Sequence, residues 1–358
     1  MNAVLPARNY STRAGAVRVL MVDDSVVVRS VVRSIFDDVT DIELVCTAGH
    51  LEEAYAFLAD QSVDIVLLDH EMPGQKGLDA LPHILKIARD AHVIMLSTHC
   101  QRGSKTAVAA LSLGASDALA KPASGEAGAA FGEQLLCRIR RLASARRHRR
   151  AEYAVITQRA LPENFRAECI GIGASTGGIH AVAEFFEMLE GKPAVPILIT
   201  QHLPAPFISH YARQVARMCA LPVSVAKDGE VLRVGHVYIA PGDASLSSRR
   251  DGNAVRALLT DEADPYSMAR PSVNHMFRGM AQSYGAGALG IVLTGIGRDG
   301  TAGGREVIKA GGALIAQDQA SSTIWGMPSS VVRAGITSDM LPPSEMPRYL
   351  REHCGVAA

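Results

Sequence analysis

The chain lacks a net charge. Its 358 residues hold 36 lysines and arginines against 36 aspartates and glutamates, so no global field draws it toward nucleic acid or an anionic bilayer. It lacks paired cysteines: the six, Cys46, Cys100, Cys137, Cys169, Cys219 and Cys354, are scattered with no CxxC spacing. That pattern supports neither a zinc site nor a thioredoxin-type redox pair, and nothing resembles a disulfide framework, so a reducing compartment is expected. No apolar run is long enough to span a bilayer, and Met1–Ala16 is polar and basic without the apolar segment of a secretory signal. Internal repeats and low-complexity tracts are absent. The expectation is a soluble cytoplasmic protein that neither binds nucleic acid nor inserts into membrane.

What is present is ample apolar material, 48% of residues, in a chain too long for one ordinary core and suited to two domains. In the first part, β-branched runs at Val17–Asp23, Glu43–Thr47, Asp64–Asp69, His92–Ser97 and Ser116–Lys121 alternate with helical patterns at Ser25–Asp38, Leu51–Ala59, Leu78–Ala88, Lys105–Leu113 and Ala129–Ala143. Strands alternating with helices predict a parallel sheet covered on both faces. A basic run follows: Arg138, Arg140, Arg141, Arg146, Arg147, His148, Arg149 and Arg150. A solvated helix end running into a linker is favoured over a docking site for an acidic partner. From Cys169 a second α/β pattern begins, with buried strands expected at Cys169–Ala174, Ile197–Gln201, Ala288–Thr294 and Ala313–Gln317 and a hairpin around Asp251–Gly252. The expected organisation is two doubly wound parallel-sheet domains, flavodoxin-like over 16–143 and Rossmann-like over 167–354, joined by a basic linker at 144–166.

Functional groups gather at the carboxyl ends of strands in such sheets. In the first domain those ends carry Asp23 and Asp24, Asp69, Ser97, and Lys121 followed by Pro122. Each alone reads as a strand-end or cap residue, Asp24-Ser25 for instance as a helix start. Together they suit a hard divalent cation such as Mg²⁺, which relieves carboxylate repulsion and neutralises an incoming phosphoryl group. Asp69 would be the nucleophile, with Lys121 as a point charge and Ser97 as a hydroxyl donor.

Asp23-Asp24, Leu68-Asp69-His70-Glu71-Met72-Pro73-Gly74, Ser97-Thr98 and Lys121-Pro122 resemble the response-regulator receiver domain, over about Ala16 to Ala143. The resemblance implies phosphorylation of Asp69 by a histidine kinase. It also implies Mg²⁺ held by Asp24, Asp69 and the backbone carbonyl of Glu71, with Asp23 close by. Lys76 stands where relatives often carry an acidic residue.

In the second part, Gly173-Ala174-Ser175-Thr176-Gly177 fits G-x-S-x-G, the strand–turn–helix elbow that exposes a nucleophilic serine. The N–H groups after Ser175, at a helix N-terminus, would help to stabilise an oxyanion. His202 at the end of Ile197–Gln201 is a candidate base, and Asp299 after Ala288–Thr294 a candidate orienting carboxylate. Triads are defined by geometry rather than chain order. Two rival patterns exist. Gly171-Ile-Gly173 begins like a nucleotide loop, but the following glycine spacing does not fit. Gly295-x-Gly297-x-x-Gly300, with Asp318 ending the next strand, formally matches a dinucleotide fingerprint. Asp299 inside that turn would repel a phosphate, and little chain follows it.

Gly173-Ala-Ser-Thr-Gly-Gly178, Gln201-His202-Leu203-Pro204, Val237-Tyr-Ile-Ala-Pro-Gly242, Arg270-Pro-Ser-Val273, Leu293-Thr-Gly-Ile-Gly-Arg-Asp-Gly300 and Gly326-Met-Pro328 resemble the catalytic domain of chemotaxis protein-glutamate methylesterases, over about Glu168 to Arg351. The resemblance implies a triad of Ser175, His202 and Asp299 and an active-site loop at Thr176 and Ile296 that serves the oxyanion, with no cofactor for the esterase. It implies demethylation of glutamate methyl esters on the cytoplasmic helices of chemoreceptors, and deamidation of receptor glutamines by similar acyl chemistry. The receiver of relatives restrains the esterase until phosphorylated, which would make Ser144–Glu163 a moving joint. Ile296, Leu203, Ser245 and Asn274 depart from the family pattern of Met, Met, His and Asp. The chain closes on Cys354-Gly-Val-Ala-Ala, so no aromatic-acidic receptor-tethering tail is expected. The alternatives are a phosphorylation-controlled binding module with a decayed esterase fold, and a nucleotide-linked enzyme.

Overall fold

A computed structural model describes residues 15–97, 105–121, 128–148 and 158–356. Thr98, Pro122, Arg149, Arg150 and the 149–157 part of the expected linker lie outside the described residues. Contacts divide the chain into two compact units, Met1–Thr98 with Asp117–Ser144, and His99–Ser116 with Ala145–Ala358.

The N-terminal elements run β1 (Val17–Val22), α1 (Val26–Asp37), β2 (Ile42–Ala48), α2 (Leu51–Asp60), β3 (Ile65–Asp69), α3 (Gly77–Ile87), β4 (His92–Ser97), α4 (Lys105–Ser112), β5 (Asp117–Ala120) and α5 (Gly128–His148). The five strands form one parallel sheet in the order β2-β1-β3-β4-β5. β1 and β3 are apolar nearly throughout, as strands covered on both faces must be. Ser25 starts α1: its hydroxyl accepts the Val28 N–H at 3.3 Å. The order in which strands are added reverses at β1 and β3, so their carboxyl ends flank the crevice where ligands bind in open sheets. α5 extends beyond the expected Ala129–Ala143 and carries much of the basic run. Three of its arginines are paired rather than simply solvated: Arg140 with Asp41, and Arg138 and Arg141 with Asp117.

The C-terminal elements are β6 (Cys169–Ala174), α6 (Gly178–Glu187), β7 (Ile197–Gln201), α7 (Ala205–Met218), β8 (Val223–Val225), β9 (Val237–Ile239), β10 (Ser245–Asp251), β11 (Ala254–Thr260), α8 (Val273–Tyr284), β12 (Ala288–Val292), α9 (Thr301–Lys309), β13 (Ala313–Gln317), α10 (Met327–Arg333), β14 (Asp339–Leu341) and α11 (Met346–His353). Seven strands form a parallel sheet in the order β14-β13-β12-β6-β7-β9-β8. Period-two alternation builds a core on each face. Ile197 and Ile199 join Phe185 and Tyr211, while Leu198 joins Met276, Phe277 and Met280. β12 stops at Val292, short of the expected Thr294. β10 and β11 form the expected hairpin, but Asp251 pairs with Ala254, so the two loop residues are Gly252 and Asn253. Gly252, at φ 57°, takes the loop position whose positive φ a side chain disfavours.

The glycines of β6 serve packing. A Cβ on Gly171 would sit 2.3 Å from Met280 Sδ, and one on Gly173 would sit 2.4 Å from Val273 Cγ1. Bare backbone there lets α8 lie close on the sheet, which brings the start of α8 to the carboxyl end of β6. The chain leaves β6 toward β7 on one side and returns to β12 on the other, making β6 the switch point.

Candidate active site

The first unit assembles the acidic cluster expected of it. Carboxylate oxygens of Asp23, Asp24 and Asp69 lie within 4.8 Å of one another. Lys121 Nζ is 2.8 Å from both Asp23 Oδ2 and Asp69 Oδ1. The Glu71 N–H donates to Asp69 Oδ1 at 3.2 Å, and Ser97 is fully buried at the end of β4. Burial, reinforced by the Asp23 charge, pushes the Asp69 carboxyl up to about 6 against the pull of Lys121 and the Glu71 N–H. Burial also opposes the Lys121 charge, but hydrogen bonds to Asp23 and Asp69 outweigh it and hold the ammonium above its ordinary value. Asp69 Oδ2 is buried with no hydrogen-bond partner among the described residues. An all-carboxylate donor set with an unsatisfied buried oxygen fits a hard cation, so the site is consistent with Mg²⁺.

In the second unit, the register places Ala174 beside Gln201. Ser175 and His202 are therefore the next residues on neighbouring strands, which run about 4.8 Å apart. The His202 N–H donates to the Ala174 carbonyl at 2.9 Å. Buried Gln201 holds the turn from behind, its Nε2 donating to the Ser175 carbonyl at 2.8 Å. Gly177 starts α6 at φ 79°, and a Cβ there would fall 2.3 Å from Thr323 Oγ1, so the elbow needs glycine for both conformation and space.

His202 Nε2 donates to Asp299 Oδ2 at 2.8 Å. Asp299 is only 3% exposed, and it is held from the start of α8. The Val273 N–H donates to its Oδ2 at 2.7 Å, and the Asn274 and Gly300 N–H groups donate to Oδ1 at 3.1 and 3.0 Å. The carboxylate thus occupies the place of an N-cap, where unpaired N–H groups and the helix dipole favour negative charge. The loop between β12 and Asp299 passes against the elbow: a Cβ on Gly295 would lie 2.6 Å from Ser175 Cβ. Gly295 is clamped through its N–H to Ile324 and its carbonyl to Gly326 and Met327. The N–H groups of Thr176, next to Ser175, and of Ile296, next to Gly295, have no backbone partner among the described residues.

The formal dinucleotide turn cannot seat a phosphate. Its Gly300 N–H is taken by the Asp299 and Asn274 side chains, and Asn274 Oδ1 also accepts from Gly303 at 2.8 Å. Asp318 accepts from Ser321. Three of the four departures from the family pattern are engaged in packing or hydrogen bonds. Leu203 joins a core, Ser245 Oγ accepts the Ser272 N–H at 3.0 Å, and Asn274 caps α9. Ile296 stands in the loop that passes against the elbow, next to Gly295.

Two residues escaped the sequence. Ser272 starts α8, but its hydroxyl reaches 2.7 Å to Asp264 Oδ2 and 3.1 Å to Asp299 Oδ1. Asp264 in turn accepts from Arg278 at 2.9 Å and from the Tyr266 N–H at 3.0 Å. Burial pushes its carboxyl up, yet the Tyr266 N–H, Arg278 and Ser272 together hold it down at about 2. Ser272 lies in a motif already noted, whereas Asp264 sits in a polar loop with no pattern to mark it.

Comparison with known proteins agrees with both halves. Residues 170–350 match the family model described as CheB methylesterase, and residues 19–129 match the response regulator receiver domain. A protein-glutamate methylesterase/protein-glutamine glutaminase of Rhodospirillum rubrum is 36% identical over 95% of this chain and 95% of its own. That of Azospirillum brasilense is 37% identical over 99% of this chain and 97% of its own. The crystal structure of the Thermotoga maritima CheB methylesterase catalytic domain is 34% identical and covers 52% of this chain and 98% of that one, with a TM-score of 0.50. With an acidic receiver site on one sheet and a serine elbow at the switch point of another, the chain belongs to the receiver-bearing CheB methylesterase family.

Proposed function

We propose that the protein is a phosphorylation-regulated serine esterase that demethylates glutamate methyl esters on chemoreceptors, with Ser175, His202 and Asp299 as its triad. The observation that carries this reading is the 2.8 Å bond between His202 and Asp299, one strand from Ser175. Because Nε2 of His202 is committed to Asp299, Nδ1 is the ring nitrogen left to accept the Ser175 proton. Ser175 Oγ bonds to the ester carbonyl carbon, and the N–H groups of Thr176 and Ile296 stabilise the oxyanion. The C–OCH₃ bond then breaks, and methanol leaves with the proton held on His202. Water, deprotonated by the same nitrogen, releases the glutamate carboxylate and restores Ser175. With a glutamine side chain the same steps release ammonia. Asp299 keeps one tautomer and stabilises the imidazolium.

Asp69 is the phosphoacceptor in this reading. A carboxylate oxygen takes the phosphoryl group from a phosphohistidine of the cognate kinase, breaking the P–N bond. Mg²⁺, which Asp24, Asp69 and the Glu71 carbonyl would hold, neutralises phosphoryl charge when bound. The added charge shifts the population toward a more active form. No described helix is long and apolar enough to cross a membrane, and we place the enzyme on the cytoplasmic side, where receptor helices are its substrates. The intact contacts around Asp299 speak against a decayed esterase fold.

The test is methanol release from methylated receptor fragments, with and without a small phosphodonor and Mg²⁺, beside Ser175→Ala. Release should rise with the phosphodonor and fall at least about a thousandfold in the variant. Equal release from both proteins would refute the assignment of Ser175.

A further inference from the structure

Among the described residues of the second unit, one buried carboxylate takes no part in the proposed steps. Asp264 is 7% exposed, and Ser272 beside it is 1% exposed. Between Asp264 and Asp299 stands a single hydroxyl, 2.7 Å from one and 3.1 Å from the other. A hydroxyl has one proton, so it gives a full bond to only one of them and a weaker, shared one to the other. The shorter contact gives that proton mainly to Asp264. Asp299 already accepts from Val273, Asn274, Gly300 and His202. A fifth full donor would drain charge that should stabilise the imidazolium. Arg278 makes the arrangement affordable: its guanidinium pairs with Asp264 at 2.9 Å and lies over the Tyr266 ring, 5.7 Å from the centroid. Two carboxylates can then stand on either side of one serine without an uncompensated buried charge.

We propose that Arg278, Asp264 and Ser272 form a buttress that positions Asp299, setting the plane of its carboxylate so that Oδ2 faces His202. They are positioning residues and touch neither substrate nor nucleophile. This inference rests on the triad reading above. It predicts that the hydroxyl of residue 272, rather than its volume, controls the chemical step.

The experiment compares Ser272→Thr with Ser272→Val, which share a shape and differ by the hydroxyl. Ser272→Ala is the smaller backstop should the extra methyl prevent folding. Full-length protein is assayed for methyl-ester hydrolysis and for the rate at which a fluorophosphonate labels Ser175. The valine and alanine variants should lose about tenfold to a hundredfold in kcat, the loss expected of a catalytic group displaced by up to 1 Å. KM should stay near its original value, labelling should slow in parallel, and threonine should restore both rates. Asp264→Asn should behave as valine does. Folded valine and alanine variants that label at the wild-type rate would overturn the buttress and leave the triad standing. A rise in KM with unchanged kcat would overturn it too, by assigning the 264–272 segment to substrate binding. Wild-type protein that does not label at Ser175 would remove the triad and the buttress together.

Discussion

Residue by residue, the esterase site depends on which atoms are already occupied. Asp299 both orients His202 and caps α8, so Asp299→Asn should show two losses. An asparagine amide facing Nε2 favours the wrong tautomer, and kcat should fall about ten-thousandfold. Loss of the negative charge at the start of α8 should also cost about 0.3–1 kcal/mol of stability, read as a lower denaturation midpoint that Ser175→Ala does not share. Asp264 carries its own acid signature. Its carboxyl is depressed to about 2 in the fold, so it contributes stability above its unfolded value, and this is lost as pH falls through about 2. The contribution is about 2 kcal/mol, and denaturant titrations from pH 5 down to pH 2 should show a correspondingly shallower fall in Asp264→Asn. Asp69 behaves oppositely. Raised to about 6, it favours the fold most below its unfolded value, and that advantage is lost as pH rises through about 6. Mg²⁺ should therefore raise the melting temperature of the receiver at pH 7, less at pH 5 where protons compete, and not at all in Asp24→Asn. Candidate residues at strand ends were legible because chemistry and position coincide there. Asp264 was not, because its partner Arg278 comes from the middle of a later helix and only the folded chain joins them.

At the scale of elements, spacing and apolar runs identified the long strands, since β1, β3, β6, β7, β12 and β13 are buried on both faces. β8, β9 and β14 are three residues each and too short for any period to emerge; β9 is held in place by its pairing with β7 and β8. The hairpin turn was displaced by one residue because Asp-Gly is a strong turn pair, whereas the ladder extends through Asp251 and leaves Gly-Asn to turn. The basic run on α5 was expected to be solvated, but Asp41 and Asp117 come from distant parts of the chain to meet it. Gly171 and Gly173, expected within the buried strand Cys169–Ala174, are also the contact surface for α8. Gly173→Ala should therefore act at a distance from its own backbone. Overpacking against Val273 should cost about 1–3 kcal/mol and shift the cap that holds Asp299, so kcat should fall with stability, measured by hydrolysis and denaturant titration together.

For the whole molecule, two motif sets in order made the division into receiver and esterase readable. Asp69→Asn in the full chain should abolish the increment in methanol release that phosphodonor and Mg²⁺ produce; an undiminished increment would refute Asp69 as the acceptor. The spread of the proposed triad along the chain has a consequence for biosynthesis. His202 and Asp299 are 97 residues apart, and the site needs β7, α8 and β12 all in place. A ribosome releases the receiver before the serine elbow, and the elbow before the orienting carboxylate. On that assignment, nascent chains carry the proposed phosphoacceptor site long before the proposed triad is complete, and fragments truncated before Asp299 should be hydrolytically silent.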